Sequence, residues 1–446
     1  MNGVRNNSEN PALLRGAEPD GYSRTSWHGV SLAHPADWEL TSATVARGPC
    51  RLVFADRRCE RMTVRWQTMK YVPNLARALE QREKADGKTR ELRDLPPGWR
   101  GVLATGENGA TVHAGRFFDG VRVLLEVILA WRDAWEPETA NRIFSLADVD
   151  AGKGATMAWE AMGIRADIPR GYRMVRFCSE VGLVEWTFRA EGDKGGDLSL
   201  ARLGVPNYWL KAPLAKWMES QLEKGRMVSD TRAIVRNGHP GAEVVSRAAV
   251  KGWERLTGRQ NVQCDAAWLC PVENRVYHLR YGEVRAGGRP VPPAALHVEC
   301  CQEPFSQSAT MHTPCAVSEA IPPGSADILA AVPKVNLAAR IARGNNGEVL
   351  ATVPLRRPRF LVPPLSWILP YSDSRRVRLD TLGAAILDLC DGKRSLEGIM
   401  ERFAAENKLT FREAQVPVVQ FIRMLTERGV VAVAGAGMKQ ATHERV

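Results

Sequence analysis

Two stretches of this chain open alike, and that repetition constrains the fold more than any single motif. One reads Trp27-His28-Gly29-Val30-Ser31-Leu32-Ala33-His34-Pro35-Ala36-Asp37-Trp38. The other runs from Trp159 through Ile164-Arg165-Ala166-Asp167-Ile168-Pro169 to Tyr172. Each is a Trp, a strand-forming run and then Pro-x-x-aromatic, and the two prolines lie 134 positions apart. A sequence that repeats at this scale builds one supersecondary unit twice. The later elements follow suit. Cys50 to Ala55 is answered by Gly182 to Ala190. The alternation of Met62, Val64 and Trp66 is answered by Leu198, Leu200 and Leu203, and period two marks a half-buried strand. A helix with Pro near its start follows in each: Pro73 to Lys84, then Pro213 to Lys224. Val121 to Leu125 and Arg275 to Leu279 close the copies. The expectation is two antiparallel-sheet modules, each with one or two helices on a face.

The remainder divides by composition. Twelve of thirteen Trp lie between Trp27 and Trp268, whereas residues 334–446 hold 18 Lys/Arg against 11 Asp/Glu, most of the net +11. Pro304 to Val335 is rich in Ser, Pro and Ala without sustained period, as linkers are. The expected organisation is a disordered segment 1–26, module A at 27–155, module B at 156–303, a linker at 304–352, a small domain at 353–436 and a tail at 437–446. No apolar run reaches the ~18 residues of a membrane span and no signal-type stretch opens the chain, which predicts a cytoplasmic protein with reduced thiols.

Residues 353–436 predict a winged-helix-type domain. Strands at Arg359 to Val362, Ser366 to Leu369 and Arg375 to Leu379 precede three helices. Asp380 or Thr381 caps the first, Asp391-Gly392 ends it, and Ser395 starts the second. Thr410-Phe411-Arg412-Glu413 has the capping-box spacing of the third. Gly429 stops that helix before a closing strand. Pro417 lies inside it and is expected to kink or delay it.

The stretch VRLDTLGAAILDLCDGKRSLEGIMERF followed by FIRMLTERGVV resembles the PqqD-like family, also called the RiPP recognition element, at Leu379, Asp380, Gly383, Cys390, Asp391, Gly392, Leu425 and Gly429. The two modules are similar to PsbP-like sandwich domains. The whole is therefore expected to be α+β: two tandem modules, then a PqqD-like domain. The resemblance implies a non-catalytic adaptor or chaperone that binds the leader of a precursor peptide and presents it to a modifying enzyme. The peptide would add as a strand beside the third strand, in a cleft shared with the third helix, where unpaired N–H and C=O groups meet any extended chain. The residues implied are Arg375, Arg376, Val377, Arg378, Leu379, Val419 and Arg423. The arginines suit acidic side chains and equally suit a solvated edge.

Nucleic-acid binding is the alternative partner, favoured by six Arg against one Asp between Arg356 and Arg378. The third helix speaks against it, because Arg412, Glu413, Gln415, Gln420, Arg423, Glu427 and Arg428 mix signs. An enzyme with an unrecognised site in the modules is the third reading; no hydrolase, zinc-protease or phosphate-loop motif occurs. No cofactor is expected. If a metal were held, the His-x-x-Cys spacings would offer His297, Cys300, Cys301, His312 and Cys315, although buried structural cysteine is the commoner outcome. The Trp-rich modules suggest a protein-docking platform.

Overall fold

A computed structural model describes residues 21–45, 48–75, 89–106, 109–132, 135–191, 196–249, 260–285, 290–301, 329–344, 347–354 and 374–434. The chain forms two compact units, one of residues 1–172 with 293–299, the other of 173–292 with 300–446.

In the first unit, β1 (Tyr22–Trp27) and β2 (Val30–Pro35) form a hairpin, and β3 (Glu39–Ala43), β4 (Cys50–Ala55), β5 (Glu60–Thr68), β6 (Thr89–Leu92), β7 (Trp99–Gly106), β8 (Gly109–Phe118) and β9 (Val123–Trp131) form a seven-stranded antiparallel sheet in the order β3-β4-β5-β9-β8-β7-β6. Alternate residues of its strands are buried, among them Leu52, Phe54, Met62, Val64, Leu125, Val127 and Leu129. Helix α1 (Pro137–Leu146) buries Ala140, Ile143 and Phe144, and the Trp99 indole donates to the Phe144 carbonyl at 2.9 Å. A second sheet has the order β10 (Asp148–Val149)-β2-β1-β11 (Thr156–Ala161)-β12 (Ile164–Pro169)-β20 (His297–Glu299). Its two hairpins turn through His28-Gly29 and Met162-Gly163, all four at positive φ. That is the conformation of the two-residue turn whose twist matches the strands it joins, and Gly adopts it without strain. Trp27 and Trp159 meet edge to face at 5.3 Å in the middle of this sheet.

In the second unit, β13 (Tyr172–Glu180), β14 (Leu183–Ala190), β15 (Asp197–Gly204), β16 (Arg226–Arg236), β17 (His239–Ala248), β18 (Gln260–Cys270) and β19 (Arg275–Arg285) take the order β13-β14-β15-β19-β18-β17-β16. Adding ten to each strand number of the first seven-stranded sheet reproduces this order, as a duplicated module would. Helices α2 (Pro206–Trp209) and α3 (Leu214–Ser220) cover one face, where Met218 packs on Val244, Ala267 and Val276. The fold is α+β, with two tandem antiparallel-sheet modules ahead of a small helical domain. Trp27, Trp38, Trp66, Trp99, Trp131, Trp159, Trp186 and Trp268 are all buried. These eight serve the cores, where large rings fill the space under the strands.

The small domain holds β21 (Val332–Val335), β22 (Arg340–Arg343), β23 (Val349–Pro354), β24 (Ser374–Leu379), α4 (Thr381–Leu389), α5 (Leu396–Asn407), α6 (Phe411–Glu427) and β25 (Val431–Ala434). Strands β22-β23-β24 form one sheet and β21-β25 another. The expected linker at 304–352 thus contains three strands in its last part. They are short, and all four residues of β22 are exposed, whereas β23 alternates cleanly with Val349, Ala351 and Val353 buried. The strands expected at 359–362 and 366–369 and the tail from 437 lie outside the described residues; of the segment 1–26 expected to be disordered, residues 1–20 lie outside them, whereas Tyr22 onwards forms β1, held by its pairing with β2. The helices begin at the anticipated caps. Asp380 accepts from the Gly383 amide at 2.8 Å and Ser395 from the Gly398 amide at 3.2 Å. Thr410 and Glu413 exchange side-chain and backbone hydrogen bonds at 3.2 and 3.0 Å. That box nucleates α6 upstream of Pro417, so the helix is not delayed. Among the described residues no helix is long and apolar enough to cross a membrane.

Candidate functional site

Strand β24 ends its sheet among the described residues, with β23 on its one paired side. Its sequence alternates. Val377 and Leu379 are 2% exposed and belong to the apolar core that also holds Val418 and Ile422 of α6. Arg375, Arg376 and Arg378 are exposed. The antiparallel register sets Arg340, Thr352 and Arg376 in one row and Ala342, Leu350 and Arg378 in the next. Paired residues share a face, so three arginines surround the partly exposed Leu350 on the outer face. Glu348 lies 3.8 Å from Arg378, and at this exposure the pair is screened and contributes little. Of the seven implied residues, the side chains of Val377 and Leu379 face inward and leave only their backbone for a ligand. Val419 is half-buried against the core, and Arg423 is exposed and pairs with Glu427 at 3.0 Å.

The N-terminus of α6 is anchored. Glu413, one of the mixed-sign residues of the third helix, accepts from Arg202 at 2.7 Å and from Arg275 at 2.9 Å. Arg275 is fully buried and also donates to the carbonyls of Lys408, Glu273 and Asn274, each at 3.0 Å. Burial alone would raise the Glu413 carboxyl; the two guanidinium charges outweigh it and hold the group below the usual carboxylate range. Lys408 donates to the Pro271 carbonyl at 2.9 Å and Asn274 to that of Asn407 at 3.3 Å. The helical domain is thereby fixed to the end of the β18–β19 hairpin. Beside it, the Tyr277 hydroxyl donates to Glu273.

Two further polar clusters lie on the β16–β19 strands. Asp265, 1% exposed, accepts from His278 at 2.9 Å, Arg280 at 2.8 Å and Gln263 at 2.7 Å. Burial pushes its pKa up, but these donors and their charge bring it down to about 2. At the start of β17, the ligand atoms of His239, Cys270, Cys300 and Cys301 all lie within 4.8 Å of one another. His239 Nε2 is 3.1 Å from the Cys301 sulfur, and the Asn237 amide donates to the Cys300 sulfur at 3.5 Å. The hydrogen bond from Cys270 lowers the Cys300 thiol against its burial and correspondingly raises Cys270. Cys390, buried among apolar groups, is pushed up to about 12. Of the sequence candidates for a metal, only Cys300 and Cys301 come together. His297 pairs with Glu299 at 3.4 Å, and His312 and Cys315 lie outside the described residues. Sequence reasoning missed His239 and Cys270, whose one signal is register: continuing the β17–β18 ladder sets them opposite each other.

Comparison with known proteins adds the following. Residues 366–431 match the family described as coenzyme PQQ synthesis protein D (PqqD). No curated protein matches the chain. Among solved structures, the immunity protein TplEi of T6SS from Pseudomonas aeruginosa, complexed with "L" peptide, is similar at 11% identity and a TM-score of 0.27, over 62% of this chain and 91% of that one. Its apo structure gives 11% and 0.27 over 61% and 90%. Cyanobacterial PsbP (CyanoP) from Synechocystis sp. PCC 6803 gives 12% and 0.23 over 31% and 86%. The C-terminal region of this chain, at residues 366–431, is PqqD-like.

Proposed function

We propose that the C-terminal domain is a peptide-recognition adaptor that binds the leader of a precursor peptide by strand addition to β24 and presents it to a modifying enzyme. The observation that carries the reading is a strand inside a PqqD-like region that ends its sheet among the described residues and carries outward arginines. An extended peptide would gain main-chain hydrogen bonds from the edge, and acidic side chains would meet Arg376, Arg378 and Arg340. The Glu413 anchor supports the same reading, because a helix held at one end is already ordered before binding, which lowers the ordering cost.

The test uses leader peptides from short reading frames beside the gene, titrated against the full chain by fluorescence anisotropy, with amide exchange as a second readout. The expected result is binding with protection concentrated at residues 374–379. R376E/R378E should weaken it by about tenfold or more without changing the unfolding midpoint. Absence of binding by every leader, together with tight duplex-DNA binding that falls steeply with salt, would replace this reading by the nucleic-acid one.

A further inference from the structure

We infer that His239, Cys270, Cys300 and Cys301 form a structural zinc site in the second unit. The four side chains arrive from three places: the start of β17, the end of β18, and the chain directly after β20. Cysteines buried merely as small apolar groups have no reason to converge with an imidazole. Here three sulfurs and a ring nitrogen lie within 4.8 Å of one another. A tetrahedral zinc with Zn–S of about 2.3 Å requires sulfurs about 3.8 Å apart, so closure needs movements of about 1 Å or less.

The donor set selects the ion. Three sulfurs and one nitrogen are soft to intermediate ligands, suited to zinc and poorly suited to magnesium or calcium. Four protein ligands leave no open position, which makes the site structural rather than catalytic. The surroundings fit as well. Cys270 and Cys300 are buried, at 0% and 2% exposed. The Asn237 amide already reaches the Cys300 sulfur, as outer-shell donors do around zinc thiolates. The ion would bind Cys300-Cys301 to the end of the β17–β18 ladder.

The test begins with the full chain purified under reducing conditions without chelator, its metal measured by mass spectrometry. The expected content is about one zinc per chain. Cobalt substitution should give the intense thiolate-to-metal absorption of a tetrahedral sulfur-rich site. In the wild-type chain, chelation should expose three thiols to maleimide, and re-addition of zinc should protect them; this readout does not require a variant to fold. C300S should lower zinc affinity more than about a hundredfold, beyond the usual cost of an outer-shell change. C178S and H297A should retain the metal. Zinc retained undiminished by C300S, a chain that takes up no zinc when titrated, or a disulfide within the trio of cysteines would each overturn the assignment.

Discussion

Glu413→Gln is the most informative single substitution in this protein. It keeps size and shape and removes one charge. The carboxylate accepts from Arg202, Arg275 and the Thr410 amide at 2.7, 2.9 and 3.0 Å. Gln can satisfy one guanidinium through its oxygen but must point its NH₂ at another donor. The Nε atoms of both arginines are buried without a hydrogen-bond partner, so no reserve of acceptors exists there. Removing one partner of a buried ion pair costs about 3–5 kcal/mol. The Glu413 side chain is 28% exposed, which favours the low end, about 3 kcal/mol. At about 2–4 °C per kcal/mol for a unit of this size, the transition should fall by about 6–12 °C. Because two units unfold in one chain, amide exchange at α6 and β19 should accompany calorimetry, to assign the loss. The pH dependence has a definite sign. The folded carboxyl is depressed, so its contribution is complete above the unfolded value of about 4.3 and is lost as pH falls through the folded value. Glu413→Gln should therefore flatten the acid limb. A midpoint change under about 3 °C at pH 7 would refute the argument, since the pair would then be worth no more than a surface ion pair.

Further expectations are these. Asp265→Asn should cost about 2–3 kcal/mol at neutral pH, the linkage value for a carboxyl lowered from about 3.9 to about 2, and the difference from wild type should vanish in urea melts as pH falls towards 2. Gly383→Val should destabilise the C-terminal domain by about 2 kcal/mol or more, because a Cβ there would lie 2.6 Å from the Phe421 ring of α6. Unchanged denaturant midpoints for that variant would mean that α4 and α6 separate more easily than their packing suggests. Asp380→Ala should cost about 1 kcal/mol through the lost bond to the Gly383 amide, read as faster exchange in the first turn of α4.

What could be read from the sequence was local. Asp380, Ser395 and Thr410 announce helix starts because a cap and its amide are three residues apart. The alternation at Met62, Val64 and Trp66 announces a strand because burial follows side-chain parity. What escaped depends on distant partners. Glu413 matched the capping-box spacing, and that reading is sound; its burial comes from Arg202 and Arg275, 211 and 138 positions away. His239 and Cys270 were invisible as neighbours because only strand register unites them. The set proposed to face a peptide was half legible. Parity distinguishes Arg376 and Arg378 from Val377 and Leu379, yet the positional carry-over included both kinds. That β24 ends its sheet among the described residues depends on pairing that no local pattern encodes.

The six-stranded sheet has a consequence for how this chain can be divided. Its halves, β10-β2-β1 and β11-β12-β20, meet at the β1–β11 pairing, where Ser26 faces Glu160. The sequence boundary between the modules, near residue 155, therefore falls between two hairpins of one sheet. A protein cut there would carry one bare strand on each piece, each the natural complement of the other. Split halves should thus reassociate rather than behave as independent domains, and either half alone would offer its naked edge to a second copy of itself.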